Sequence, residues 1–183
     1  MSVEASTASR ERIQRISRRL AGLCVLLAIG VLVAVVLYWT LADATSMGWR
    51  WLGGITEPRE LTPAVRIVGL AAMLLPVAAV IAGLLHLRRL FRLYSGGLMF
   101  GAKNVAALRG VGWSCISFGA AQVLFRPLVS VGLTAFNPAG QRVVTVGVDT
   151  GTVVALVLGG VFLVITWVMD EARKIDEEQA LTV

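Results

Sequence analysis

Residues 20–41 read LAGLCVLLAIGVLVAVVLYWTL, with no charged residue and no proline. A helix rises about 1.5 Å per residue, so about 20 apolar residues cross the ~30 Å hydrocarbon core of a bilayer. Inside that core every backbone N–H and C=O must find its partner within the protein, which a helix provides. The stretch therefore reads as a transmembrane helix. Three more apolar stretches follow, at about residues 64–87, 105–135 and 150–169. The expectation is an all-α integral membrane protein with four transmembrane helices over residues 20–169. It is flanked by a basic N-terminal tail, 1–19, and a charged C-terminal tail, 170–183.

Composition points the same way. The chain has 183 residues, 57% of them apolar and 15% charged, and its mean hydropathy is +0.80. Soluble domains average about 45–50% apolar and about 25% charged. A globule this small cannot bury the excess. An ordinary soluble enzyme, a disordered chain and a disulfide scaffold are excluded. Cys24 and Cys115 lie in separate apolar runs and read as small packing residues.

Punctuation marks the span ends. Residues 1–9 are small and polar and are expected to fray. Residues 10–19 (RERIQRISRR) form a basic amphipathic run, with Glu11 and Arg15 at a favourable i,i+4 spacing. Thr62 and Pro63 read as N-cap and first position of the second span, and Pro76 should kink it. Gly96 and Gly97 read as a helix stop, and Asp149 as an N-cap for the fourth span.

The net charge of +6 reads as topology rather than nucleic-acid binding. Lys and Arg collect on the cytoplasmic side of membrane proteins. With the N-terminus inside, 12 of the 17 basic residues face the cytoplasm; Arg50, Arg59, Arg66, Arg126 and Arg142 face out. Both termini are thus expected to be cytoplasmic. Trp39, Trp49, Trp51, Trp113 and Trp167 all fall near expected interfaces, where an amphipathic ring sits best. A cleaved leader ending at Ala42-Asp43-Ala44 is the competing reading of the first span. Its apolar core is longer than the usual 7–15 residues.

Enzyme signals are sparse. The single histidine, His86, cannot make an HExxH site. The run GGLMFGAK at 96–103 departs from a phosphate loop: Ala102 intervenes before Lys103, and Asn104 follows. No catalytic residue, metal site or cofactor is expected.

Binding candidates are few and specific. Arg126, beside Pro127 in an apolar run, is the main candidate for an ion pair or a ligand site. A bend at Pro127 would free a carbonyl for it. Asp149, Glu57 and Glu60 are its available acidic partners, and Gln122 lies one turn deeper on the same face. Gly151, Ala155 and Gly159 recur every four residues and suit close helix packing, within the chain or in a homodimer; Gly30 and Ala34 offer a similar notch in the first span. Arg88, Arg89, Arg92 and Lys103 lie between spans two and three, opposite an acidic tail that includes Asp170, Glu177 and Glu178. These groups could pair with each other, rest on anionic membrane lipid, or dock a soluble protein.

The stretch from Phe91 to Trp113, FRLYSGGLMFGAKNVAALRGVGW, resembles the pattern of a bacterial membrane family called domain of unknown function 2975. The matching positions are Gly97, Phe100, Asn104, Arg109, Gly112 and Trp113. The charged tail closing in Ala180-Leu181-Thr182-Val183 is similar to the family's end, and the resemblance runs from about residue 15. Lys103 departs from it, standing where an acidic residue often precedes the Asn. The resemblance implies a four-span protein of the bacterial inner membrane with no established activity. It also implies, by association with small helix-turn-helix regulators, a cytoplasmic regulator as partner. The chain itself carries no nucleic-acid-binding domain. The expected function is a non-enzymatic regulatory or interaction protein; the competing one is a small transporter or channel subunit, homo-oligomeric through the Gly151–Ala155–Gly159 face.

Overall fold

A computed structural model describes residues 2–41, 43, 51, 62–97 and 101–180, with side chains from residue 12 to residue 175. It is helical throughout: α1 (Ser2–Leu41), α2 (Pro63–Ser95), α3 (Ala102–Thr134) and α4 (Thr150–Ala180). All four are long and apolar enough to cross a membrane. No strand occurs among the described residues.

The helix ends follow their local chemistry. The Thr62 hydroxyl accepts the Val65 N–H at 3.4 Å, and its carbonyl accepts the Arg66 N–H at 3.2 Å, so Thr62 caps α2 with Pro63 in the first turn. α2 continues through Pro76 to Ser95. There Gly97 takes φ +80°, a left-handed turn that a side chain would resist. At the start of α4 the Asp149 carboxylate accepts the Thr152 N–H at 2.7 Å.

Two expectations change. Residues 2–9 continue α1 as helix rather than fraying. Extending an existing helix adds a hydrogen bond per residue without a new nucleus, and the rest of α1 is that helix. Within the chain, the Gly30–Ala34 notch of α1 is also not a packing face. Both residues are exposed, and nothing lies within 4 Å of a Cβ at Gly30. The buried face carries Ser17, Ala21, Cys24 and Ala28, then Val35 and Trp39. Outward lie larger side chains such as Leu26, which is 68% exposed, as expected of a surface facing lipid.

Chain contacts divide into two compact units. Unit 1 comprises Met1–Ala28, Val80–Ile116 and Val157–Val183, and unit 2 comprises Ile29–Ala79 and Ser117–Leu156. The core of unit 1 is built on small residues. A Cβ at Gly159 would stand 2.9 Å from the Gly112 carbonyl oxygen, so α3 and α4 touch there almost backbone to backbone. Gly110 likewise leaves room for the His86 imidazole, which a Cβ would overlap.

The core of unit 2 is built on Trp39, Phe125, Val129 and Leu133. Trp39 sits at the end of α1 and turns inward: it is 1% exposed. Its indole lies over Gly69, and its N–H donates to the Met73 sulfur at 3.2 Å. Trp51 stands edge-on to Phe125 at 5.1 Å, and Trp113 and Trp167 are exposed. Trp49 and the Ala42-Asp43-Ala44 cleavage site lie wholly or partly outside the described residues.

Candidate functional site

In unit 2, Arg126 meets Asp149. Their Nη2–Oδ2 distance is 2.8 Å, with side chains 29% and 39% exposed. α3 carries the arginine, and the connection into α4 carries the carboxylate. Asp149 divides its oxygens: Oδ2 takes Arg126, while Oδ1 accepts both the N–H and the hydroxyl of Thr152, at 2.7 and 2.9 Å. The Thr152 amide, then its hydroxyl, then Arg126 hold the carboxyl below the usual aspartate range, against some desolvation. Gly147 makes room for Arg126, since a Cβ there would lie 3.3 Å from Nη1.

The guanidinium thus meets a carboxylate rather than a carbonyl freed at Pro127. Gln122 is half-buried and forms no hydrogen bond with either partner among the described residues. Glu57 and Glu60 lie outside the described residues. The arrangement ties the α3–α4 connection to α3 and caps α4.

The connection has further ties that the sequence did not announce. The Ser130 hydroxyl accepts the Thr145 N–H at 2.9 Å, and the Thr134 hydroxyl accepts the Val143 N–H at 3.3 Å. Arg66 donates to the carbonyls of Trp39 and Thr40 at 2.7 and 3.1 Å, a cation closing the last turn of α1. Its signal was available: a lone arginine one turn inside a membrane helix must satisfy its donors locally.

In unit 1, Arg88, Arg89 and Arg92 line a cleft of about 300 Å³ with Leu85 and Leu93. A second cleft, of about 440 Å³, places Arg88, Arg92 and Ser95 of α2 against Arg18, Ala21, Gly22 and Val25 of α1. Lys103 is exposed in the first turn of α3. Arg109 takes the carboxylate of Asp170, and Lys174 pairs with Glu171 at 3.0 Å. The charged tail begins as a continuation of α4 to Ala180. The side chains of Glu11, Glu177 and Glu178 lie outside the described residues.

Of the small-residue series, Gly159 sits at the crossing with Gly112. Ala155 is half-buried and Gly151 exposed. A Cβ at Gly151 would meet its own cap, Asp149, at 3.3 Å. Among the described residues no cluster of three His, Cys, Asp or Glu could hold a metal.

Four long apolar helices define the class as a multi-pass helical membrane protein. A family model described as "Protein of unknown function (DUF2975)" matches residues 51–183. The chain belongs to that family. The match begins at residue 51, so α1 lies outside it, and the resemblance expected from about residue 15 is shown only from residue 51. No curated protein and no solved structure matches the chain. The motif residues have architectural roles here. Gly97 ends α2, Asn104 is buried in the first turn of α3, Arg109 reaches α4, and Gly112 admits α4. Phe100 lies outside the described residues.

Proposed function

We propose that this is a non-enzymatic interaction protein of a bacterial inner membrane, with both termini in the cytoplasm, that docks a soluble regulator on its cytoplasmic face. The observation that carries this reading is the length of α4. Its apolar stretch ends near Met169, but the helix runs on to Ala180. That adds about 16 Å at 1.5 Å per residue. Asp170 is fixed by Arg109, while Glu171, Arg173, Lys174 and Ile175 are exposed. A charged helix with an exposed Ile175, anchored at its root, suits a protein partner. Unit 1 holds this extension together with Arg88, Arg89, Arg92 and Lys103.

A photo-crosslinking residue at position 174 tests the proposal in native membranes, with position 157, an exposed apolar site, as control. One soluble protein crosslinked from 174 but not from 157, and lost on Lys103→Glu, is the expected result. Crosslinks from 174 only to lipid or to a second copy of the chain would overturn it.

A further inference from the structure

The two clefts of unit 1 share Arg88 and Arg92. Together their linings bring in four arginines and no acidic residue. Among the described residues none of the four is paired with a carboxylate, while Arg109, Arg126 and Lys174 each have one. Like charges gathered in a concave site repel one another and attract an anion. Guanidinium groups favour phosphate in particular, because their planar forks match two of its oxygens.

The rest of the lining selects among phosphates. Ala21, Gly22 and Val25 form the α1 wall of the larger cleft. Leu85 lines the smaller one and is 50% exposed. Arg18 lies just before the apolar run of α1, and Arg88 directly follows that of α2. Both helices therefore set these cations where an apolar stretch ends, the level of lipid phosphates in a bilayer. A soluble phosphate would gain nothing from the apolar wall; a lipid would use both parts.

We infer that the cleft between α1 and α2 lined by Arg18, Arg88 and Arg92 is a binding site for the phosphodiester of an anionic phospholipid, whose acyl chains run along Ala21, Gly22 and Val25. This goes beyond the docking of a regulator and does not depend on it. Lys103 and the α4 extension stay free for a protein.

The test uses the full chain, purified in neutral detergent and titrated with mixed micelles of phosphatidylglycerol or phosphatidylcholine. Native mass spectrometry reads the retained lipid, and the thermal midpoint reads its effect. Phosphatidylglycerol is expected to be retained and to raise the midpoint, and phosphatidylcholine to do neither. R18Q/R88Q/R92Q should weaken phosphatidylglycerol binding by about tenfold or more, because the forked guanidinium contacts to the phosphate are lost. R12Q/R15Q/R19Q removes the same charge from exposed positions of α1 outside the clefts; it measures the diffuse attraction alone and should lose clearly less than the cleft variant.

Equal losses in the two triple variants would mean diffuse attraction and overturn the site. Inorganic phosphate alone, raising the midpoint with the same arginine dependence, would replace the lipid by a soluble anion and overturn the lipid assignment. R18Q and R92Q, single changes at exposed side chains, keep the question open to measurement if the triple variant fails to fold. Retention of phosphatidylglycerol unchanged in both singles would also overturn the proposal.

Discussion

At Asp149 one carboxylate serves two elements: Oδ1 caps α4 through Thr152, and Oδ2 holds Arg126 of α3. In water an exposed ion pair contributes ~1 kcal/mol or less, and a helix cap about 1 kcal/mol. The cap is thus at least as important as the pair. Because the folded carboxyl titrates below the usual value, its contribution is complete above the ordinary aspartate pKa of about 3.9. It is lost as pH falls below that value and through the folded one. The thermal midpoint in detergent is therefore expected to fall as the pH drops below about 4. In Asp149→Asn it should start lower at pH 7 and fall less on acidification. A variant whose midpoint follows the parent over the whole range would show that this carboxylate is not coupled to folding.

At the scale of elements, the helices and their ends could be read from the residues. Each apolar run fits only one crossing, and Thr62-Pro63, Gly96-Gly97 and Asp149 punctuate them by known backbone chemistry. The faces could not be read. A helix apolar all round has no amphipathic stripe to say which side is inside. Hence Gly30 and Ala34, small but exposed, looked as suitable as the buried Ser17, Ala21, Cys24 and Ala28. Cross-helix partners were equally hidden: nothing in the sequence ties Gly159 to Gly112, or Trp39 to Gly69. The crossing gives a sharp contrast between neighbours. Gly159→Leu drives a side chain into the Gly112 carbonyl and Ile116, and is expected to cost about 1–3 kcal/mol as overpacking. Gly160→Leu adds its side chain where nothing lies within 4 Å and should leave the thermal midpoint nearly unchanged. Equal effects would mean that the two helices do not meet at Gly159.

For the whole molecule, the arginine bias and the even number of spans predict both ends in one compartment. Unit 1 contains both terminal segments and the turn at Gly96–Gly97. Alkaline phosphatase fused after Val183 should be inactive in intact bacteria, and a fluorescent protein at either end should be bright. Phosphatase activity at the C-terminus would reverse the topology and, with it, the compartment of every arginine discussed above. The functional reading was less accessible than the fold for a physical reason. A soluble catalytic centre leaves titratable groups in a cleft, whereas binding at a membrane surface uses arginines and charged helix ends that topology alone would also supply.

The α3–α4 connection carries one more consequence. Residues 141–149 have no helix or strand of their own, yet the N–H groups of Val143 and Thr145 are held by hydroxyls of α3. Val144, between them, is 63% exposed. In deuterated buffer the segment should therefore exchange unevenly. The amides of Val143 and Thr145 should keep their protons for as long as unit 2 stays closed, while that of Val144 gives its proton up quickly. Ser130→Ala should release Thr145 and leave Val143 slow. A loop that looks uniform by its backbone would then prove to be fastened at two alternate residues, 143 and 145.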